Sequence, residues 1–256
     1  MHTAIGIDIG GTKISGIVWD GKKILRQAAV NTPADLKIFK QALSGLVSGL
    51  SAGLRIRFVG AGMAGDVDAK NGRVLHSPNI KFVKNLDLRK VLKSLGFNRA
   101  AVDNDANCFT RAEMVLGQGG KFNNFLALTL GTGVGGGIVI DGRPYRGRNG
   151  RGAEFGHVVL DGEFMEKTFQ RLRDKEDFKS LGMLLGRTFA GLTNIFEPEA
   201  IILGGGVALN EQRKFLPEAE KELGRFVFDS RKRPRILVSR LNQAGALGAA
   251  LLALQK

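Results

Sequence analysis

Short apolar runs that each feed into glycine recur along this chain. Residues 4–9, 56–59, 125–130 and 200–203 are hydrophobic stretches of strand length, and glycine clusters stand at 10–11, 60–65, 131–137 and 204–206. Strands followed by glycine turns, with helical periodicity between them, predict an α/β protein whose site is built from loops at strand ends. The first run continues through Thr12 and Lys13 into 14–19, and Asp20-Gly21 turns the chain into 23–30. This opening predicts two hairpin-linked antiparallel strands plus a third. Helices are expected from Pro33 to about residue 50, over 86–95 with Gly96 as the stop, and from Asp105 to about 116. Short strands are expected at 74–76 and 100–102.

The pattern then restarts. Residues 125–130 and 136–140 flank a glycine loop and predict a second hairpin, turning at Asp141-Gly142. A strand at 158–160, helices over 163–173 and 178–196, a strand at 200–203, a helix around 211–226, a strand at 235–239 and a helix over 244–253 complete the chain. Residues 1–120 and 121–243 are thus expected to form two similar α/β lobes. The C-terminal segment 244–256 is expected to pack back on the first.

Composition narrows the class. With 43% hydrophobic and 24% charged residues the chain reads as an ordinary globular protein, neither disordered nor a disulfide scaffold. A single cysteine, Cys108, excludes an intrachain disulfide and a cysteine-rich zinc cluster. Asp8 interrupts the N-terminus where a signal peptide would be apolar, and no apolar run approaches the roughly 20 residues of a membrane helix. A soluble cytoplasmic protein with no membrane partner is expected. The formal charge of +14 favours anionic ligands without identifying one.

Three constellations carry chemistry. Asp8-Ile9-Gly10-Gly11-Thr12-Lys13 joins two strands: the glycines let backbone amides approach an anion, and Asp8 supplies a carboxylate suited to a phosphate-bound Mg²⁺. The alternative is a plain tight hairpin. Gly131-Thr132-Gly133, opening a run with five glycines in seven residues, repeats this logic in the second lobe, against the alternative of a bulge. Asp103-Asn104-Asp105-Ala106-Asn107 opens a helix. One of these residues suffices as a cap, leaving an aspartate to accept a proton from a substrate hydroxyl. Glu154 and His157 precede a strand. His2, His76 and His157 have no ligand-like spacing.

Taken together, DIGGTK from Asp8, GAGMAGDVD from Gly60, SPN from Ser77, NDAN from Asn104, LGTGVGGG from Leu130, EFGH from Glu154, EPEAIILGGG from Glu197 and AGALGAA from Ala244 resemble the sugar kinases of the ROK family. The resemblance covers nearly the whole chain. It implies a two-lobed actin/hexokinase-like ATPase fold with duplicated ribonuclease-H-like lobes. It also implies transfer of the γ-phosphoryl group of ATP to the 6-hydroxyl of a hexose, glucose foremost.

The resemblance further implies roles residue by residue. Asp105 is similar to the family's catalytic base. Asn104, Glu154 and His157 resemble its sugar-hydroxyl ligands, with Gly65 and Asn79 lining the sugar pocket. Asp8 resembles the Mg²⁺-holding residue, acting through water. Gly10, Gly11, Thr12, Lys13, Gly131, Thr132 and Gly133 match the phosphate loops, and Gly205 with Gly206 match the turn beside the nucleoside. A homodimer is the implied assembly, with small-molecule sugar and nucleotide as partners.

One departure stands out. Where most of the family carries a cysteine-rich zinc loop after the ExGH histidine, this chain runs from His157 to Glu163-Phe164-Met165-Glu166 without a cysteine. No zinc site is expected. Glu166 aligns with the glutamate that contacts the sugar just after that loop, with Glu163 as the weaker substitute. The shorter polyphosphate-using glucokinases of the family share this lack. They keep polyphosphate open as a donor, alongside N-acetylmannosamine, N-acetylglucosamine or fructose as acceptors and a sugar sensor without catalysis as a non-enzymatic reading. A regulator's helix-turn-helix would need chain ahead of a phosphate motif that here starts at residue 8, so no nucleic-acid partner is expected.

Overall fold

The structure, a computed structural model, describes residues 3–255; His2 lies outside them. The chain divides into two units. Among the described residues, unit 1 comprises 3–113, 147–151 and 241–255, and unit 2 comprises 114–146 and 152–240.

Unit 1 begins with β1 (Ala4–Ile9), β2 (Lys13–Trp19) and β3 (Ile24–Asn31), an antiparallel meander. Helix α1 (Leu36–Ser51) starts three residues beyond Pro33, because the Asp35 carboxylate caps it by accepting from Lys37 N (2.7 Å) and Ile38 N (3.0 Å). Its buried Phe39, Leu43, Leu46, Val47 and Leu50 recur at helical spacing against the sheet. Then follow β4 (Phe58–Met63), the small sheet of β5 (Asp66–Asp68), β6 (Arg73–His76) and β7 (Lys84–Asp87), and α2 (Leu88–Lys93). The expected helix over 86–95 is shorter than its pattern, because residues 84–87 pair with β6 and Asp87 caps the helix through Lys90 N. β8 (Arg99–Asn104) and α3 (Asp105–Val115) end this stretch.

Unit 2 repeats the scheme. β9 (Phe125–Leu130), β10 (Val134–Ile140) and β11 (Arg143–Tyr145) form the meander. A two-residue hairpin of β12 (Val159–Leu160) and β13 (Glu163–Phe164) precedes α4 (Met165–Asp174), so the expected helix from 163 loses its first two residues to strand pairing. α5 (Phe178–Phe196), β14 (Ala200–Gly204), α6 (Gly205–Phe226) and β15 (Arg235–Val238) complete it. α6 begins six residues before the expected start. Its glycines are poor helix formers, but Gly205 meets the Leu130 backbone so closely that a side chain would not fit. The chain then returns to unit 1 as α7 (Ala244–Leu254).

The two large sheets share one order, β3-β2-β1-β4-β8 and β11-β10-β9-β14-β15, with β1, β4 and β8 parallel in the first and β9, β14 and β15 parallel in the second. Each has its own apolar core. The glycines at 60–65 correct the sequence reading: Gly60 and Gly62 lie inside β4 rather than in a turn after it. The cause is α7, whose backbone runs so close to β1 and β4 that side chains at Gly6 and Gly60 would strike the Ala246 and Ala249 carbonyls. β10 likewise takes in Gly135, Gly136 and Gly137, and the Phe155 ring and Ala153 backbone close over Gly136.

Candidate functional site

Parallel strands end in register, and the candidate residues of unit 1 stand on those ends. In unit 1, Asp8 of β1 pairs across to Gly62 of β4, which pairs to Asp103 of β8. At this carboxyl edge β8 becomes α3. Asn104 Oδ1 accepts from Ala106 N (2.8 Å) and Asn107 N (3.3 Å), while its Nδ2 donates to the Gly65 carbonyl (3.1 Å). Asn104 is therefore the cap, and it ties the helix to the β4–β5 connection. Gly65 has φ +129°, and a side chain there would collide with the His76 backbone. Asp103 is buried. It accepts from Asn104 N and Asn107 Nδ2 and faces the Arg111 guanidinium at 3.8 Å. Asp105, the first residue of α3, is half-buried.

Asp8 and Asp105 are close enough to repel. Burial, then the Asp105 charge, raise the Asp8 pKa to about 7, against the opposing pull of Lys13. The Asp8 carboxylate also abuts Gly245, where a Cβ would come within 2.5 Å of Oδ2. In the adjoining turn Gly10 N donates to the Lys13 carbonyl (3.0 Å), and Thr12 and Lys13 are exposed. Gly11 packs on Asn79, whose Cβ would stand 2.6 Å from a Cβ at that glycine. Asp8, Gly10, Gly11, Thr12, Lys13, Gly65, Asn79, Asn104 and Asp105 thus all belong to unit 1, on or beside one sheet edge. The sequence reading missed Thr32, which holds the turn by donating Oγ1 to the Gly10 carbonyl (2.7 Å) and N to the Thr12 carbonyl (2.9 Å). The β2–β3 register, with Lys13 opposite Asn31, is the signal that could have found it.

Unit 2 carries its own group of candidate residues. Its turn, Gly131-Thr132-Gly133, leaves the carboxyl end of β9, and Gly131 N donates to the Gly133 carbonyl (3.0 Å). The N-terminus of α6 adjoins the Leu130 end of that strand and has no side-chain cap. Free helix amides beside a glycine turn suit an anion. Glu154 and His157 lie on a short 3₁₀ turn, with Oε2 and Nδ1 3.3 Å apart and both side chains more than half exposed. The Phe164 ring meets His157 edge-on. Glu166 reaches toward the Gly131–Gly133 turn, where Oε2 accepts from Val134 N at 2.7 Å. Glu163 is committed elsewhere: it accepts from Thr168 Oγ1 and Arg171 Nη1. Sequence reasoning also missed Gln170 and Arg173, which donate to the turn's carbonyls from α4. No local pattern links them to a turn some 40 residues away.

Among the described residues, no group of three or more His, Cys, Asp and Glu side chains is placed to hold a metal ion, and no helix is long and apolar enough to cross a membrane. Divalent cations that travel with nucleotides need less from the protein. Mg²⁺ is commonly held by one or two carboxylates plus phosphate oxygens and water. The crowded Asp8–Asp105 pair, with Asp8 driven toward its neutral form by burial, fits such an ion.

A model of the ROK family matches residues 4–171 and 173–256. Glucokinase from Streptomyces coelicolor is 30% identical, over 99% of this chain and 98% of its own. The crystal structure of a ROK family glucokinase from Streptomyces griseus, in complex with glucose and AMPPNP, superposes with a TM-score of 0.85 at 30% identity, over 99% of this chain and 100% of the other. That of an inorganic polyphosphate/ATP-glucomannokinase from Arthrobacter sp. strain KM superposes at 0.81 with 31% identity, over both chains entire. The fold is the two-lobed actin/hexokinase-like ATPase fold.

Proposed function

The chain belongs to the ROK family, and we propose that it is a hexose kinase that transfers the γ-phosphoryl group of ATP to the 6-hydroxyl of glucose. The observation that carries this reading is the repeated edge. Each unit sets a glycine turn at the carboxyl ends of parallel strands, and unit 1 adds Asp105 at the head of α3. The glucokinase names and the glucose complex among its relatives support the acceptor, and the AMPPNP complex supports the donor.

Phosphoryl transfer asks a protein mainly for alignment and charge neutralisation. Asp105 accepts the proton of the 6-hydroxyl as that oxygen bonds to the γ-phosphorus and the bond from the γ-phosphorus to the β-phosphate oxygen breaks, ADP leaving. Asn104, fixed by its own cap bonds, presents the helix head on which Asp105 sits. Gly65, Asn79, Glu154, His157 and Glu166 serve as the sugar-contacting residues in this reading. The two glycine turns direct backbone amides at phosphate oxygens, and Gly205 with Gly206 stand beside the nucleoside. Asp8 would hold Mg²⁺ through water, the ion supplying neutralisation of the β- and γ-phosphate charge. Zinc has no part in this scheme, in keeping with the lack of cysteines after His157. A cytoplasmic placement suits dependence on ATP. The exposed apolar side chains Ile195 and Phe228 support a homodimer.

Polyphosphate is the second donor reading, favoured by the +14 charge and the match to the glucomannokinase. The test is a matrix of glucose, mannose, fructose and N-acetylated hexosamines against ATP and polyphosphate. ATP with glucose should give the highest kcat/KM, lost in excess EDTA and restored by Mg²⁺. Absence of sugar phosphate with every acceptor and both donors would overturn the kinase reading.

A further inference from the structure

Helix α4 directs three side chains at one turn. Glu166, Gln170 and Arg173 stand at i, i+4 and i+7, on one helical face. Glu166 Oε2 accepts from Val134 N (2.7 Å). Gln170 Nε2 donates to the Thr132 carbonyl (3.0 Å). Arg173 Nη1 donates to two carbonyls, Gly131 (2.8 Å) and Thr132 (2.7 Å). The rest of that guanidinium is also held: Nε and Nη2 reach Asp174 Oδ1 at 2.8 and 2.7 Å, and its carbon lies 5.9 Å from the centre of the Phe169 ring.

The consequence is set by peptide geometry. In a trans peptide the carbonyl and the next residue's N–H point in opposite directions. Holding the carbonyls of 131 and 132 toward α4 turns the N–H groups of Thr132 and Gly133 away from it. Peptides flanked by glycine rotate easily, and a rotated peptide would present an oxygen where an anion needs a donor. We infer that Arg173, assisted by Gln170 and steadied by Asp174, is a positioning residue that keeps the Thr132 and Gly133 amides turned toward the phosphates of the donor nucleotide. Glu166 fixes the far end of the same turn. The segment that follows EFGH in the chain is thereby bound to the donor turn without a metal-bound loop.

This inference rests on the ATP reading, so its test must separate the two. Arg173→Ala, Arg173→Lys and Asp174→Ala are compared with the unaltered chain by steady-state kinetics in both substrates, by calorimetric titration with Mg·ADP and by thermal melting. Arg173→Ala should raise the KM for ATP and the Kd for Mg·ADP roughly 10-fold, the scale of one charge-assisted hydrogen bond. The KM for glucose should stay within about twofold, well under the worth of a single bond. Arg173→Lys should recover part of the loss, since an ammonium can still donate to one carbonyl. Asp174→Ala, which leaves the clamp in place but unsteadied, should fall between. It also serves as the test if Arg173→Ala does not fold.

Parallel rises in both KM values, or Mg·ADP affinity unchanged in Arg173→Lys and Asp174→Ala, would overturn the inference. If the unaltered chain binds Mg·ADP and Arg173→Ala weakens that binding, yet no sugar is phosphorylated, the clamp stands and the kinase reading falls.

Discussion

Asp103, Asn104 and Asp105 stand in a row where β8 becomes α3, and their polar atoms are used differently. Asp103 is buried and bonded to its own loop and to Arg111. Asn104 closes the helix and reaches Gly65. The half-buried Asp105 shares its surroundings with Asp8. Asp105→Asn keeps shape and removes the capacity to take a proton. We expect kcat to fall roughly 10²–10⁴-fold, the usual contribution of a positioned base, while glucose affinity by calorimetry changes little. A coupled assay showing near-normal turnover would take Asp105 out of the catalytic role. The change also deletes one of two repelling charges, so folding should not suffer.

At the scale of elements, glycine has two distinct uses here, and only one was visible along the chain. The turns after β1 and β9 follow from local signals: an apolar run, two glycines, a polar pair and another apolar run. Gly6 and Gly60 are in strands because α7, residues 244–254, crosses them with a backbone of small residues. That reason lies nearly 190 residues from Gly60, so a reading by local pattern put Gly60 in a loop, although it kept Gly6 within its strand. The same distance effect hid Arg173 and Gln170, whose partners are in a turn read on other grounds. The hairpin openings and the residues at strand ends were legible because register and capping are short-range. Gly60→Ala should force α7 outward and cost about 1–3 kcal/mol, as overpacking does. Thermal melting should show this as a fall of several degrees. Gly45→Ala in α1, where a Cβ would meet nothing within 4 Å, is the control and should be neutral or stabilising. Equal effects at both positions would contradict the close-approach account.

At the scale of the whole molecule, charge separates the two substrates more cleanly than shape does. The chain carries 38 Lys and Arg against 24 Asp and Glu, for +14 in all. Such a field raises the local concentration of an anionic donor and leaves a neutral sugar unaffected. Raising KCl from about 0.05 to about 0.5 M shortens the screening length from roughly 14 to roughly 4 Å. The KM for ATP should therefore rise several-fold across that range while the KM for glucose holds within about twofold, because only the donor is steered. Polyphosphate, with more charges engaged at once, should show a steeper dependence if it is accepted at all. The ratio of the two slopes then reports how many donor charges the protein contacts. A glucose KM that climbs in step with that for ATP would mean that salt acts on the fold, and that the excess of basic residues is not directed at the donor.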